Sequence, residues 1–287
     1  MADVEALPPD RLEAFTALVW REGLRLYRDL PWRRTREPYP ILLSEVMLQQ
    51  TQVGRVERYW QRWLERFPSL DALAAASLGD ALKAWQGLGY NRRAKALYEL
   101  AKVCARDYVG ALPVEYDQLL ALPGVGPATA AGVCVFAYDK PCIYLETNVR
   151  AVFLHHFFPE VARVSDRELI PLVAQSCDQD DPRGWYYALL DYGAWLKKAL
   201  PNPSRRSRNH RRQSPFVGSL RQKRAELLRL VLAEPGQGGD ELVESLTAIE
   251  VAAGRPVPDP QLCLDLLNEL DKEGFLRKSE SQRWFIA

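Results

Sequence analysis

Apolar residues up to position 214 recur every three or four places along the chain, which is the spacing of amphipathic α-helices. Glycine and proline interrupt these segments, most clearly at residues 87–89, 112–113 and 122–124. Alternation typical of strands is nearly absent before residue 270. The pattern therefore predicts an all-α fold for this part of the chain. The clearest predicted helices are Arg11–Leu30, Ile41–Arg66, Leu70–Gln86, Asn91–Tyr108 and Arg167–Ala174.

The chain after residue 219 has a different pattern. Three further helices are predicted at Leu220–Ala233, Asp240–Ala252 and Pro260–Glu273. Residues 275–279 and 283–286 alternate between apolar and polar positions around a polar turn, as in a β-hairpin. Three helices and a hairpin are the arrangement of a winged helix, so residues 219–287 are expected to form a small α+β domain of that kind. Such domains bind DNA or mediate contacts with other proteins.

A segment of concentrated positive charge separates the two regions. From Lys197 to Arg224 the chain has ten lysines and arginines and no aspartate or glutamate, although its formal net charge is only +1. So basic a segment favours an anionic polymer as partner, while a solvated linker is the alternative. The candidate DNA-binding arginines in it are Arg205, Arg206, Arg208, Arg211 and Arg212.

Composition narrows the class of protein. The chain is 47% hydrophobic and 10% aromatic, enough for a packed core. No apolar run reaches the roughly 20 residues of a membrane span, and the acidic N-terminus lacks the order of a signal peptide. The five cysteines are scattered and the histidines number three, so buried thiols are expected rather than a metal site. We expect a soluble cytoplasmic monomer, associated with the nucleoid if bacterial.

One motif predicts a site for an anion. In the run from Leu119 to Ala131 a helix ends at a proline, two glycines make a tight turn, and a second helix starts at once. Glycines let a ligand approach the backbone closely, and the free N–H groups of a helix N-terminus attract anions. We expect Gly124, Val125 and Gly126 to bind a DNA phosphate, which grips DNA without reading its sequence. An ordinary helix corner is the alternative.

Two glutamates are candidate catalytic residues. Glu45 lies in the middle of an apolar helical run, where burial would raise the pKa of its carboxyl and make it a general acid near neutral pH. The alternative to a buried general acid is that Glu45 lies on the one polar face of its helix. Glu146 follows an apolar stretch and precedes a predicted helix start with Thr147 and Asn148 as capping types. The alternative is that Glu146 is only a negative charge at the helix N-terminus, where the helix dipole stabilises it.

Taken together, these motifs resemble the helix-hairpin-helix (HhH-GPD) superfamily of DNA glycosylases, and within it the adenine glycosylase (MutY) branch. The resemblance covers residues 10–200, and the matches around Glu45 are the most specific. The matching segments are Pro31–Arg33, Ser44–Val53, Gly87–Tyr90, Leu122–Gly126 and Asp191–Ala194.

The resemblance implies a two-lobed helical fold. One lobe would combine residues 1–37 with 149–214, including the basic loop. The other would span residues 38–148 as a six-helix barrel that carries the hairpin. The winged-helix-like domain would follow at residues 219–287.

The resemblance also implies roles for individual residues. Glu45 would protonate a purine leaving group and later help to deliver water, after the nucleotide has been extruded from the duplex. Gln50 and Tyr90 would lie near the void and hold the strand open. Glu146 would stand beneath the positive charge that develops on the sugar, as in glycoside hydrolysis by two carboxylates. The partner would be double-stranded DNA with a mismatched or damaged base.

Three features depart from the pattern of this branch. Its second carboxylate is an aspartate, whereas this chain has Glu146. The branch commonly carries four cysteines that bind an iron–sulfur cluster, but residues 196–212 contain none, so no cofactor is expected. The region from residue 219 is too short for the domain that recognises 8-oxoguanine in this branch.

Bifunctional relatives carry a catalytic lysine where this chain has Ala128, which cannot form a Schiff base. The sequence therefore predicts a monofunctional DNA glycosylase for a mispaired purine, most simply adenine opposite guanine or 8-oxoguanine. The alternatives within enzymes are release of thymine or uracil opposite guanine, or of hypoxanthine. A different class is a non-catalytic damage or mismatch sensor whose C-terminal domain contacts a partner.

Overall fold

The computed structural model describes residues 7–210 and 215–287. This part of the chain forms fourteen α-helices, two short 3₁₀-helices and three short strands. The helices are α1 (Pro9–Arg25), α2 (Pro38–Leu48), α3 (Val53–Arg66), α4 (Leu70–Ala75), α5 (Leu78–Trp85), α6 (Arg92–Asp107), α7 (Tyr116–Leu120), α8 (Pro127–Tyr138), α9 (Thr147–Phe157), α10 (Asp166–Ser176), α11 (Pro182–Ala199), α12 (Leu220–Ala233), α13 (Gly239–Ala252) and α14 (Pro260–Lys272). The 3₁₀-helices are Pro31–Arg33 and Pro203–Arg206, and the strands are β1 (Gln237–Gly238), β2 (Leu276–Lys278) and β3 (Arg283–Ile286).

Three of the predicted helices were too long. The segment expected as one helix from Ile41 to Arg66 is α2 and α3, and Gln50 between them has a φ of 57°, which no helix accommodates. The segment from Leu70 to Gln86 divides where Ser77 accepts a hydrogen bond from the amide of Asp80 and starts α5. Helix α1 ends at Arg25 rather than Leu30, and Leu30 itself has the extended backbone that a residue before proline favours.

The chain divides into two compact units. Within the described residues, the first unit comprises residues 7–60 and 111–210. Its core lies among α1, α9 and α11, where Phe15, Phe153 and Trp185 pack their rings together. Helices α9 and α11 approach so closely that a Cβ on Gly193 would lie 2.1 Å from the carbonyl oxygen of Asn148. This contact fixes the start of α9 against α11.

The second unit comprises residues 61–110 and 215–287. The three strands form an antiparallel sheet in the order β1–β3–β2, with Leu276 opposite Ile286 and Gln237 opposite Trp284. The predicted helices α12 to α14 and the hairpin of β2 and β3 are confirmed, so the all-α region is followed by a small α+β region. Strand β1 was missed, because two residues are too few to show an alternating pattern. The predicted division into two lobes and a C-terminal domain stays a prediction.

Three properties of the described residues bear on disulfides, metal ions and membranes: the state of the cysteines, the grouping of possible metal ligands, and the length of apolar helices. All five cysteines are free thiols, and Cys104, Cys134 and Cys263 are buried as expected. In the described ranges, no three His, Cys, Asp or Glu side chains are grouped so that they could hold a metal ion. None of the helices described is long and apolar enough to cross a bilayer.

Candidate active site

Helix α2 places Glu45 in apolar surroundings. Glu45 is the one charged residue of this helix, and the residues on either side of it are buried. Burial raises the pKa of the Glu45 carboxyl from 4.5 to about 8, because a charged carboxylate loses its hydration there. The side chain therefore keeps a large share of its protons at neutral pH. The prediction of a glutamate with a raised pKa at this position agrees with the structure.

Tyr144 donates a hydrogen bond to Glu45. Its hydroxyl lies 2.9 Å from Oε2 of the glutamate, although the two residues are 99 positions apart in the chain. This bond favours the ionised carboxylate and so opposes the effect of burial on the pKa of Glu45. Tyr144 is itself buried, and its amide donates to the hydroxyl of Tyr186 at 3.1 Å. Sequence reasoning missed Tyr144, since an aromatic residue in an apolar stretch gives no signal of this contact.

Glu146 lies two residues further along, at the N-terminus of α9. Its Oε1 accepts hydrogen bonds from the amides of Asn148 at 2.5 Å and Val149 at 3.0 Å. The carboxylate therefore caps α9, which agrees with the alternative interpretation of Glu146 as a charge at the helix N-terminus. The charge of Glu146 also raises the pKa of Glu45, so the fold brings the two predicted carboxylates into electrostatic contact. Residues Tyr144 and Glu146 reach the site on the same short segment.

Opposing effects set the protonation of Glu146. Burial raises its pKa above the usual 4.5, and the amide of Val149 and the charge of Lys197 oppose this rise without cancelling it. Lys197 lies on α11, one turn after Gly193, where that helix contacts the start of α9. Burial lowers the pKa of Lys197 and the charge of Glu146 opposes that shift. Lys197 is a second residue that sequence reasoning missed as part of the site.

The predicted hairpin joins α7 to α8 and reaches the same helix as Glu45. Gly124 has a φ of 73° and Gly126 is the N-cap of α8. A Cβ on Gly126 would meet nothing within 4 Å, so the backbone there is open to an approaching ligand. Thr129 in the first turn of α8 accepts a hydrogen bond from Gln49 at 3.1 Å. The exposed Gln50 follows immediately, in the turn after α2.

Asp191 forms a buried ionic cluster with two arginines. Its carboxylate accepts from Nε of Arg28 at 2.5 Å and from both terminal nitrogens of Arg33 at 2.7 and 2.8 Å. The guanidinium of Arg33 also lies 4.3 Å from the ring centre of Tyr187. The cluster holds the segment before α2 against α11. The sequence indicated Arg33 and Asp191 only through their resemblance to the glycosylase motifs, and it gave no sign of Arg28 or Tyr187.

The arginines of the basic segment differ in their surroundings. Arg205 and Arg208 are exposed, as DNA contacts require. Arg206 donates to the carbonyl oxygen of Leu154 at 2.8 Å and to that of Pro159, so its side chain secures the loop. Arg211 and Arg212 lie outside the described residues. The assignment of this segment to DNA stays a prediction.

Tyr90 belongs to the second unit. Its φ of 53° is unusual for a residue with a side chain, and its ring is partly exposed. Arg93 lies 5.3 Å and Arg221 lies 6.0 Å from the centre of that ring. Two guanidinium groups therefore lie against the ring of Tyr90, the predicted DNA contact.

Comparisons with known proteins bear on the family and the fold. Residues 43–169 match the HhH-GPD superfamily of base excision DNA repair proteins. An adenine DNA glycosylase of Mycobacterium tuberculosis is 37% identical over 249 residues, which are 78% of this chain and 80% of that protein. One of Mycolicibacterium smegmatis is 49% identical over 136 residues, 47% of this chain and 46% of that protein.

A solved structure shows the same fold. The structure of a thermostable thymine-DNA glycosylase superposes with a TM-score of 0.58 and 26% identity, covering 64% of this chain and 87% of that one. The chain therefore belongs to the HhH-GPD superfamily of DNA glycosylases, and within it to the adenine DNA glycosylase family. The chain spans less than half of the M. smegmatis relative.

The iron–sulfur cluster common in this family does not fit the corresponding segment of this chain. Residues 196–212 contain no cysteine and therefore no thiolate ligand. Other contacts order the described part of the segment. Val164 forms a bridge with Ser207, and Asn209 donates to Asp166 at 3.0 Å.

Proposed function

We propose that this protein is a monofunctional adenine DNA glycosylase of base excision repair. It extrudes an adenine mispaired with guanine or 8-oxoguanine and hydrolyses its N-glycosidic bond. The observation that carries the proposal is the pair of carboxylates, with Glu45 holding its proton near neutral pH and Glu146 fixed beside it. General acid catalysis needs such a protonated group at working pH.

Glu45 supplies the proton that lets adenine leave. In the proposed reaction its carboxyl protonates the base, at N7, and the C1′–N9 bond breaks with its electron pair moving to the purine. The resulting Glu45 carboxylate accepts the hydrogen bond of Tyr144. It then takes a proton from the water that attacks C1′, which restores the acid. Extrusion of the nucleotide precedes these steps, since a stacked base is not accessible.

Glu146 stabilises the positive charge that develops on the sugar. Two backbone amides hold Oε1 in place, and the charges of Lys197 and Arg150 favour the ionised form. A carboxylate beneath the sugar lowers the energy of an oxocarbenium-like transition state.

The proposal includes no strand-cleaving step and no cofactor. Ala128 occupies the second residue of α8, where the bifunctional relatives have their nucleophilic lysine. Without that amine a Schiff base to C1′ does not form at this position. The residues that perform the proposed hydrolysis are side chains of this chain alone. Borohydride trapping of enzyme on substrate DNA tests this point, and a covalent complex would contradict it.

Thymine release from mismatches with guanine is the second candidate. The likeness to a thymine-DNA glycosylase structure favours it. The raised pKa of Glu45 weighs against it, because departure of a pyrimidine depends less on protonation by the enzyme. The two candidates therefore differ in their need for the proton of Glu45.

The test is base release from duplexes that contain one candidate base each. Adenine opposite guanine and opposite 8-oxoguanine are compared with thymine, uracil and hypoxanthine opposite guanine, with alkali cleavage after incubation. We expect release of adenine alone, and Glu45→Gln should bind the duplex but release no base. Release of thymine alone would select the second candidate. Tight binding without release from any duplex would indicate a sensor.

A further inference from the structure

The turn that carries Tyr90 has an unusual backbone. Gly87, Gly89 and Tyr90 all have positive φ values, of 94°, 74° and 53°. Tyrosine rarely adopts this conformation, and such residues persist where surrounding contacts hold them and often occur at functional sites. The contacts that hold Tyr90 therefore bear on its function.

Two arginines from different parts of the second unit hold the ring of Tyr90. Arg93, at the start of α6, lies 5.3 Å from the ring centre and donates to the carbonyl oxygen of Gly89 at 3.1 Å. Arg221, at the start of α12, lies 6.0 Å from the ring centre and donates to the Tyr90 hydroxyl at 3.1 Å. Residues 215–287, called the C-terminal region below, thus supply one of the two guanidinium groups that contact the ring of Tyr90.

Ionic contacts hold the helix that carries Arg221 against the start of α6. Glu273, just after α14, accepts from Arg92 at 2.6 Å and from Arg224 at 2.7 Å. Arg224 follows Arg221 by three residues, and Arg92 follows Tyr90 by two. These bonds tie the start of α12 to the start of α6, so the contact between Arg221 and Tyr90 is part of the fold of this unit.

The residues before Arg221 add an exposed apolar surface. Phe216, Val217 and Leu220 are 51%, 71% and 54% exposed. The sequence has no acidic residue between Lys197 and Arg224. Exposed aromatic rings together with arginines are the surface that binds unstacked nucleic acid, because the rings stack on bases and the guanidinium groups attract phosphates.

We propose that the C-terminal region is part of the DNA-binding surface, and that Arg221 is the positioning residue that holds Tyr90 against DNA as a nucleotide is extruded. The partner is duplex DNA around the mispair. This proposal rests on the proposed function, because only an enzyme that opens a duplex needs a ring held in this way. The basic charge and the exposed rings of Tyr90 and Phe216 favour DNA over a protein as the partner of this surface.

The experiment compares Arg221→Ala with Arg229→Ala. Arg229 lies on the same helix and pairs with Glu226 at 2.7 Å, away from Tyr90. Single-turnover release of adenine is measured from a matched-length duplex with one mispair and from the same duplex with adenine in an unpaired bulge. We expect Arg221→Ala to slow release from the mispair about tenfold and from the bulge much less, since a bulged base is already unpaired. Arg229→Ala should match the wild type on both.

A second readout follows DNA opening without chemistry. In a Glu45→Gln background, 2-aminopurine replaces the mispaired adenine, and its fluorescence increases when the base unstacks. Arg221→Ala should reduce this increase, whereas Arg229→Ala should not. Thermal unfolding of each variant serves as the control for folding, and Arg221→Lys, which keeps the charge but loses the planar fork, should fall between wild type and Arg221→Ala.

Two outcomes separate this proposal from the proposed function. If Arg221→Ala matches Arg229→Ala in base release and in fluorescence, the C-terminal region does not act on DNA. That is the result expected of a surface that binds another protein. The proposed function still stands in that case. If the wild type releases no base, the proposed function fails. The fluorescence measurement then still decides whether Arg221 contributes to opening. Equal losses on mispair and bulge would show a structural role and overturn the positioning role.

Discussion

Gly132 on α8 lies against the carboxylate of Glu45 on α2. A Cβ on Gly132 would stand 2.5 Å from Oε2 of Glu45 and 3.1 Å from Cε2 of Tyr144. The absence of a side chain at this one position therefore makes room for the acid and for its hydrogen-bond donor together. Helix α8, which follows the hairpin, thus shapes the surroundings of the Glu45 carboxylate.

Gly132→Ala should displace the Glu45 carboxylate and lower the rate of adenine release about a hundredfold or more, because a misplaced acid loses its geometry toward the base. Single-turnover kinetics measure the effect. Gly54→Ala is the matched control, since Gly54 is also helical and its added Cβ would meet nothing closer than 4.0 Å. Full activity in Gly132→Ala would show that the described position of the carboxylate is not the working one.

Tyr144→Phe should move the alkaline limb of the pH–rate profile to higher pH. The rate falls as Glu45 loses its proton, so the limb in the wild type is expected near pH 8. The hydroxyl of Tyr144 stabilises the ionised carboxylate, so its loss raises the pKa of Glu45 further. Single-turnover rates between pH 5.5 and 9.5 test this. An unchanged limb, or one moved to lower pH, would contradict the role given to Tyr144.

The sequence pattern predicts features that depend on neighbouring residues, but not contacts between residues far apart in the chain. Glu45 was predicted because an ionisable residue in an apolar helical run is visible in the sequence alone. The contact with Tyr144 and the influence of Lys197 were not, because packing brings together segments far apart in the chain. The helix break at Gln50 was also missed, although residues 49–52 are all polar, because the positive φ of Gln50 is a feature of the backbone that the pattern does not show. The local pattern thus indicated Glu45 as the candidate acid but not the residues that surround it.

Glu146 variants should separate its charge from its capping role. Glu146→Gln keeps an oxygen that can accept from the amides of Asn148 and Val149, so we expect little loss of stability but at least a hundredfold slower base release. Glu146→Ala should lose both, with about 1 kcal/mol less stability from the missing cap. Urea unfolding and single-turnover kinetics measure the two effects.

Glu146→Asp is the informative companion variant. Aspartate also caps helices and retains the charge, so turnover should be kept in part. If both Glu146→Gln and Glu146→Asp release adenine at the wild-type rate, the second carboxylate is assigned to the wrong residue.

Asp191→Asn should destabilise the fold by about 3–5 kcal/mol, because it leaves the buried guanidinium of Arg33 without its countercharge. Both members of that pair are almost fully buried. Asp139→Asn is the control, since its pair with Arg36 is exposed and such pairs contribute at most about 1 kcal/mol. Urea unfolding of both variants measures the difference. Equal, small losses would show that the cluster does not carry the stability attributed to it.

Arg205 and Arg208 should contribute to DNA affinity by neutralising phosphates. Replacing both with serine removes two exposed charges, and the log–log slope of affinity against salt should become shallower by about 0.9 for each phosphate that is no longer neutralised. Arg206→Ser is the contrasting variant, because Arg206 bonds to backbone carbonyls of its own chain and its loss should reduce thermal stability more than the salt slope. Binding of the Glu45→Gln protein to mispaired duplex between 50 and 200 mM salt measures the slopes. If the double variant keeps the wild-type slope, Arg205 and Arg208 do not bind DNA phosphates.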